Sequence, residues 1–377
     1  MLSPTLVRRF ALVPLVVVIT ACLVALTPLV ALASLASALV RRWTGHGHRS
    51  RPLRVAWLAL TWSVGEMAAL TVLLCLWIVS GFGGRLDTEP YRARHYAVME
   101  RFLNQIYRAA ERACGLDVEV AGPPDEAPAD DRPVIVLSRH AGPGDSLLVV
   151  HHLLTVCGRQ PRVVMKATLQ LDPSLDIVAN RVPNAFLRRR RPGPQSAAGM
   201  GSRAGSRAGG RNQSEQIRQI RRLAAGLGGR DALLLFPEGG NWTPLRWRRG
   251  IERLRRQGQA ELARRAAAMP NLLPPRTGGA FAAIGACPTA DVIFVAHTGL
   301  DKLVSVRDVW NGLLTDLAVH ARWWRVPADA VPRAAGHETQ VAWLYDWWER
   351  LDAWITEESN GAPIEQRSAE LFGLDGH

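Results

Sequence analysis

The sequence predicts an α/β domain, a mostly parallel sheet flanked by helices, preceded by an N-terminal hydrophobic helical hairpin. Three observations carry that expectation. Two apolar runs, 10–40 and 55–84, open the chain, the first without a charged residue and the second broken only by Glu66. Beyond Arg85, short apolar runs alternate with longer amphipathic ones, as in a sheet wound through crossover helices. Apolar residues make up 48% of the 377 positions, enough for a core and too many for a disordered chain.

The hairpin comes first. A helix over 10–40 would reach about 46 Å at ~1.5 Å per residue, against a hydrocarbon core of roughly 30 Å. Pro14 and Pro28 offer places to bend. Trp43, Trp57 and Trp77 stand near the run ends, where indole rings favour the headgroup region. Residues 1–84 therefore read as a membrane anchor. A secretion signal is the rival for the first run, since Arg8-Arg9 precede it and small residues follow; its length favours an uncleaved anchor. The connecting loop carries Arg41, Arg42, Arg49, Arg51 and Arg54, and the flanks carry Arg8, Arg9, Arg85, Arg92, Arg94 and Arg101, so loop charge does not orient the hairpin. Glu66 reads either as a functional carboxylate or as an interfacial residue.

Residues 85–377 read as one domain. Helical spacing covers 91–114, and 121–133 is a Pro- and acid-rich linker. Strands are expected at 134–137, 162–165, 232–236 and 291–296. Helices are expected at 146–156 and 212–227, with one long basic helix at 245–268. Residues 190–211 are rich in Gly, Ser and Arg and read as a flexible surface loop. That loop lacks aromatic residues on which bases could stack, which argues against nucleic acid. Near the C-terminus Leu344, Trp347, Leu351 and Trp354 recur at helical spacing, as a core-facing helix would place them; a helix lying on the membrane is the other reading.

Composition narrows the chemistry. Lys+Arg total 46 against 33 Asp+Glu, a net charge of +13, and all but Lys166 and Lys302 of the basic residues are arginines. Such an excess reflects biased codon usage or suits anionic lipid or phosphate, and the two readings can coexist. Five scattered cysteines without a CxxC pair argue against a disulfide framework and a structural zinc site. His151 and His152 lack acidic or Cys partners at ligand spacing, so no metal site is expected.

Two motifs carry the chemistry. In VIVLSRHAGPGDSLLVV, His140 ends a strand, Ala-Gly-Pro-Gly turns the chain, and Asp145 opens a helix. The turn lets the carboxylate reach the ring, fix its tautomer and leave the other nitrogen free to take a proton. By itself the pattern more often describes a helix N-cap after a strand. In ALLLFPEGGNWTP, a strand runs into Phe236-Pro237-Glu238-Gly239-Gly240, where glycines permit close backbone approach to an anion.

Together, in this order and behind a hydrophobic hairpin, the motifs make 134–300 resemble the lysophospholipid acyltransferase superfamily, the 1-acylglycerol-3-phosphate acyltransferases in particular. RHAGPGD resembles the HxxxxD block. Phe186-Leu187-Arg188-Arg189 resembles the Phe-Ile-x-Arg block. FPEGGN resembles the FPEGTR block, with Gly240-Asn241 where Thr-Arg is usual. DVIFVAHTGL resembles the final block without its proline.

The resemblance implies a glycerolipid acyltransferase-like fold and transfer of a fatty acyl group from coenzyme A or acyl-carrier protein to a lysophospholipid hydroxyl. It implies His140 as general base and Asp145 as its orienting partner. Arg189, Phe236, Pro237, Glu238, Gly239 and Gly240 would form the acceptor site, with Lys166 as a further phosphate contact. Arg246, Arg248 and Arg249 are candidates for the missing motif arginine. No cofactor is implied. The expected place is the cell membrane, with the domain on its cytoplasmic side. Two other readings compete. Gly144-Asp145-Ser146-Leu147 spells the nucleophile block of GDSL esterases, with Ser146 as nucleophile, but the chain has no DxxH pair and ends in Asp375-Gly376-His377. The third is a non-enzymatic lipid-binding protein of the membrane, against which the intact His/Asp pair speaks.

Overall fold

A computed structural model of the chain describes residues 4–44, 51–122, 132–187, 203–300 and 317–360. Seven strands form one sheet: β1 (Asp117–Ala121), β2 (Val134–Ser138), β3 (Gln160–Lys166), β4 (Ala185–Leu187), β5 (Asp231–Leu235), β6 (Asp291–His297) and β7 (Ala318–Val326). Their order is β1-β7-β6-β2-β5-β3-β4. The five strands β6-β2-β5-β3-β4 run parallel, while β7 pairs antiparallel with β6 and β1 parallel with β7. The expected mostly parallel sheet is present, with a reversed two-strand edge that hydrophobic runs alone did not signal.

β2 lies at the centre, and every residue in it is buried. Alternation divides its side chains between two cores, as the period of a strand requires. Ile135 and Leu137 join Leu233, Leu235, Val292 and Phe294 on one face; Val134 and Val136 join Ala232, Leu234, Ile293 and Val295 on the other.

Ten helices surround this sheet among the described residues. They are α1 (Pro4–Thr44), α2 (Arg51–Val79), α3 (Glu89–Cys114), α4 (Pro143–Thr155), α5 (Pro173–Ala179), α6 (Arg203–Ala225), α7 (Pro244–Arg256), α8 (Ala260–Ala267), α9 (Thr277–Ala286) and α10 (His337–Asn360). The helix expected over 245–268 is two, because Gly258 adopts φ +74 between α7 and α8 and ends the first of them. The loop expected over 190–211 is helical from Arg203 onward; residues 188–202 lie outside the described residues. Arginine and alanine are good helix formers, and extending an existing amphipathic helix is far easier than nucleating one. In α10, Leu344, Tyr345, Trp348 and Leu351 are buried, and Trp347 stacks on Phe294 at 4.6 Å, so the tryptophan-rich segment faces the core.

α1 and α2 are long and apolar enough to cross a membrane, by length and composition, over Arg8–Ala36 and Leu53–Val79. α1 shows apolar side chains on all sides, including Phe10, Val18, Leu29, Leu32 and Leu35, and its two prolines lie inside the helix. α2 differs, because one of its sides is covered by the domain. Ala69 and Leu73 pack with Val98 and Val178, and the Trp62 ring meets Phe102 edge-on at 5.2 Å. A Cβ on Gly65 would meet the Phe102 ring at 3.1 Å, so glycine sets the distance between α2 and α3. Glu66, 2% exposed, accepts from the Ser174 N–H at 2.9 Å and the Ser174 hydroxyl at 2.7 Å. It satisfies the N-terminus of α5 rather than facing lipid. Arg8 and Arg9 pair with Asp176 of α5 at 2.5 and 2.7 Å, which ties the start of α1 to the same place.

Candidate active site

The carboxyl ends of parallel strands are where α/β sheets bind ligands, and the motif residues gather there. His140 lies two residues beyond β2, Phe236 follows β5, His297 ends β6, and Lys166 ends β3. Arg189, two residues past β4, lies outside the described residues.

His140 is held through its backbone on both sides. Its N–H donates to Glu238 Oε1 at 2.7 Å, and its carbonyl accepts from the Trp242 N–H at 2.9 Å. The ring packs against Phe236, centroids 4.5 Å apart. Nδ1 lies 3.1 Å from both oxygens of Asp145. Among the described residues the ring makes its hydrogen bonds through Nδ1, and the side chain keeps 11% of its surface exposed.

The turn does what its sequence suggests. Gly142 caps α4 in an extended conformation, Pro143 occupies the first turn, and Asp145 reaches back from the third position. The Asp145 carboxylate accepts from the Gly142 N–H at 3.0 Å and the Ser146 N–H at 2.5 Å. The carboxylate that holds the histidine also closes the capping box of α4 from its third position, so one side chain serves both ring and helix. Burial by itself would raise the Asp145 carboxyl. The hydrogen bond and charge of His140, the charge of His297 and the Gly142 N–H outweigh burial and hold the carboxyl below its ordinary value. It is therefore ionised at neutral pH, as an orienting partner must be. His297 Nε2 stands 3.7 Å from Oδ2.

Glu238 has a different place from the expected one. It is 3% exposed, and its second oxygen accepts from the Leu273 N–H at 3.0 Å. Both carboxylate oxygens thus bond backbone, tying the His140 turn to the loop before α9. Burial is the largest influence on it and pushes the carboxyl up to about 8; the two N–H donors and the charge of Arg139 pull the other way. Gly239 also differs from expectation. The Gly239 N–H closes the turn onto the Phe236 carbonyl at 3.0 Å, so it is not turned to an anion. At φ +68 a Cβ on Gly239 would meet Arg276 Cζ at 2.8 Å, and one on Gly240 would meet Arg246 Nη1 at 3.2 Å. Pro237 is buried, and its carbonyl accepts from the Arg276 N–H at 2.9 Å. The glycines make room for two arginine side chains over the turn. Of the three arginines suggested as replacements in this motif, Arg246 is the one against the turn, with Nη1 donating to the Asn241 carbonyl at 2.9 Å.

Arg276 was not legible from sequence, because it comes from a loop more than thirty positions away. Arg139 was also missed. It is 3% exposed and donates to the carbonyls of His297 and Asn271, bracing two segments behind the histidine. A buried arginine beside a motif histidine has no local signal. Lys166 is exposed, in register with Leu187.

Ser146, the nucleophile of the esterase reading, donates its hydroxyl to Asp145 Oδ1 at 3.2 Å. Among the described residues no histidine ring bonds it, and the terminal Asp375 and His377 lie outside them. Ser146→Ala should leave turnover within a few-fold of wild type. Loss of activity as complete as from a change at His140 would favour a serine nucleophile. Among the described residues no group of three or more His, Cys, Asp and Glu side chains could hold a metal ion.

Fold and site define an α/β protein with an imidazole–carboxylate pair at the carboxyl ends of its parallel strands. Residues 118–296 match the family model described as Acyltransferase. No curated protein matches it. Among solved structures it is similar to the 1-acyl-sn-glycerophosphate (LPA) acyltransferase PlsC from Thermotoga maritima, at 14% identity over 79% of this chain and 99% of that one, with a TM-score of 0.44.

The place of Glu238 gives it a measurable signature. Glutamine keeps one acceptor oxygen and offers an amide N–H₂ to the other backbone donor, leaving a buried N–H unsatisfied at about 1–3 kcal/mol. Glu238→Gln should lower kcat about tenfold or more and leave the acceptor KM nearly unchanged, since the residue acts through His140. The carboxyl keeps its proton to about 8 when folded and loses it near the ordinary 4.5 when unfolded. Between those values the unfolded state binds fewer protons, so this group makes stability fall as pH rises. Thermal melting from pH 5 to 8 should show a weaker decline in Glu238→Gln than in wild type.

Proposed function

We propose that the protein moves a fatty acyl group from a thioester donor, acyl-CoA or acyl-carrier protein, to the free hydroxyl of lysophosphatidic acid or a related lysophospholipid. It would thereby serve phospholipid synthesis at the cell membrane, with the domain on the cytoplasmic side. The observation that carries this reading is the His140 Nδ1–Asp145 contact, beside Phe236 in an acyltransferase-family domain.

With Nδ1 held by the carboxylate, His140 Nε2 takes the proton of the acceptor hydroxyl as its oxygen attacks the thioester carbonyl carbon. The tetrahedral adduct collapses with cleavage of the C–S bond. The new ester keeps the acyl carbon, and the departing sulfur takes the proton back from the imidazolium. Asp145 stabilises that imidazolium throughout. Such a base contributes about 10² to 10⁴ in rate, and holding both substrates together supplies much of the rest. The chemistry calls for no cofactor.

Basic side chains suit the acceptor phosphate: Lys166 at the end of β3 and Arg246 over the glycine turn, with Arg189 as the motif arginine that the resemblance implies. The apolar surface of α1 and the outer side of α2 suit a bilayer, where a two-chain product is soluble. The test is purified protein with labelled acyl-CoA and a panel of lysolipids, scored by product. Formation of a diacyl phospholipid supports the reading. Consumption of no thioester with any acceptor would favour a lipid-binding protein.

A further inference from the structure

A second cavity lies away from the His140 site, in the groove where α2 meets α3. It encloses about 590 Å³. One wall comes from the N-terminal half of α2, with Trp57, Leu60 and Val64. The other comes from α3, with Arg101, Arg108 and Arg112. The spacing i, i+7, i+11 puts the three guanidinium groups in a row along one helix face. All three are exposed, and among the described residues none forms an ion pair. Glu100 and Glu111 each precede a member of the row by one position, and Glu111 also follows Arg108 by three, but neither forms an ion pair with the row among the described residues.

We infer that this groove is a binding site for an anionic phospholipid of the bilayer, distinct from the reacting acceptor. The pairing of walls specifies the ligand class. A row of uncompensated arginines recognises phosphate, and Trp57, Leu60 and Val64 suit the glycerol and upper acyl region. A soluble phosphate would have no use for the second wall. A zwitterionic lipid would neutralise the arginine row less well. The wall is α2, whose apolar length, exposed at Trp57 and Val64, continues the groove toward the region that would meet lipid. Basic pockets beside membrane helices bind acidic headgroups in this way.

The inference rests on the membrane reading of the hairpin but not on the acyl-transfer chemistry, and its test is a binding measurement without turnover. Purified full-length protein in neutral detergent is titrated with phosphatidylglycerol or phosphatidylcholine, and bound lipid is counted by native mass spectrometry. Wild type should retain one phosphatidylglycerol in preference to phosphatidylcholine. The triple change R101Q/R108Q/R112Q should weaken that binding by about 10²-fold, at roughly tenfold per 1.4 kcal/mol and ~1 kcal/mol per arginine. The triple lysine variant should keep most of it, and basal acyl transfer should stay unchanged in the glutamine variant. Equal retention of both lipids, or undiminished phosphatidylglycerol binding in the glutamine variant, would overturn the site. Displacement of the lipid by inorganic phosphate or free coenzyme A at the same concentration would overturn the assignment to a membrane lipid.

Discussion

His140→Ala should reduce acyl transfer by about 10²-fold to 10⁴-fold, the range expected when a positioned general base is removed. The backbone of residue 140 makes its hydrogen bonds to Glu238 and Trp242 whatever the side chain. Removing the ring takes away a contact with Phe236 and leaves a small gap near the surface, so the domain should fold. Circular dichroism and recovery in the membrane fraction should match wild type, while product formation should approach background. That combination separates a chemical role from a packing one.

Asp145→Asn should be nearly as damaging, for a reason of tautomers. The carboxylate accepts from the Gly142 and Ser146 N–H groups and from Nδ1 of His140. Gly142 donates to Oδ2 and Ser146 to Oδ1, so an asparagine oxygen keeps only one backbone contact, and its N–H₂ stands where the other oxygen faced the ring. The imidazole must accept at Nδ1 and carry its proton on Nε2, where it cannot take one from an alcohol. A loss of about 10³-fold or more is expected, near the effect of the same change in a serine–histidine–aspartate triad. One backbone N–H at the start of α4 loses its acceptor, at about 1–3 kcal/mol, so the melting temperature should fall modestly. Full activity in Asp145→Asn would mean that the carboxylate serves the helix only.

The sequence made the centre of this protein legible for physical reasons. β2, β5 and β6 are buried on both faces and read as unbroken apolar runs. The turn from His140 to Asp145 is local, so its glycines and proline report its geometry directly. What sequence missed is non-local. β7 is amphipathic, and its antiparallel pairing with β6 depends on a chain reversal through residues outside those described. Glu238 looked like a ligand because a motif carboxylate between glycines invites that reading. Only the folded chain brings Leu273 to its second oxygen. Glu66 is the same lesson in the hairpin, since its partner Ser174 lies 108 positions away. Arg276 and Arg139 reach their places through loops whose course no periodicity encodes.

The most direct measurement follows thiol release from an acyl thioester by purified protein, with and without lysophosphatidic acid, beside the diacyl product formed. An imidazole base serving a bound lipid alcohol predicts release that depends on the acceptor, matches product one to one, and disappears in His140→Ala. Release that ignores the acceptor and yields free fatty acid, or one-to-one transfer undiminished in His140→Ala, would contradict it.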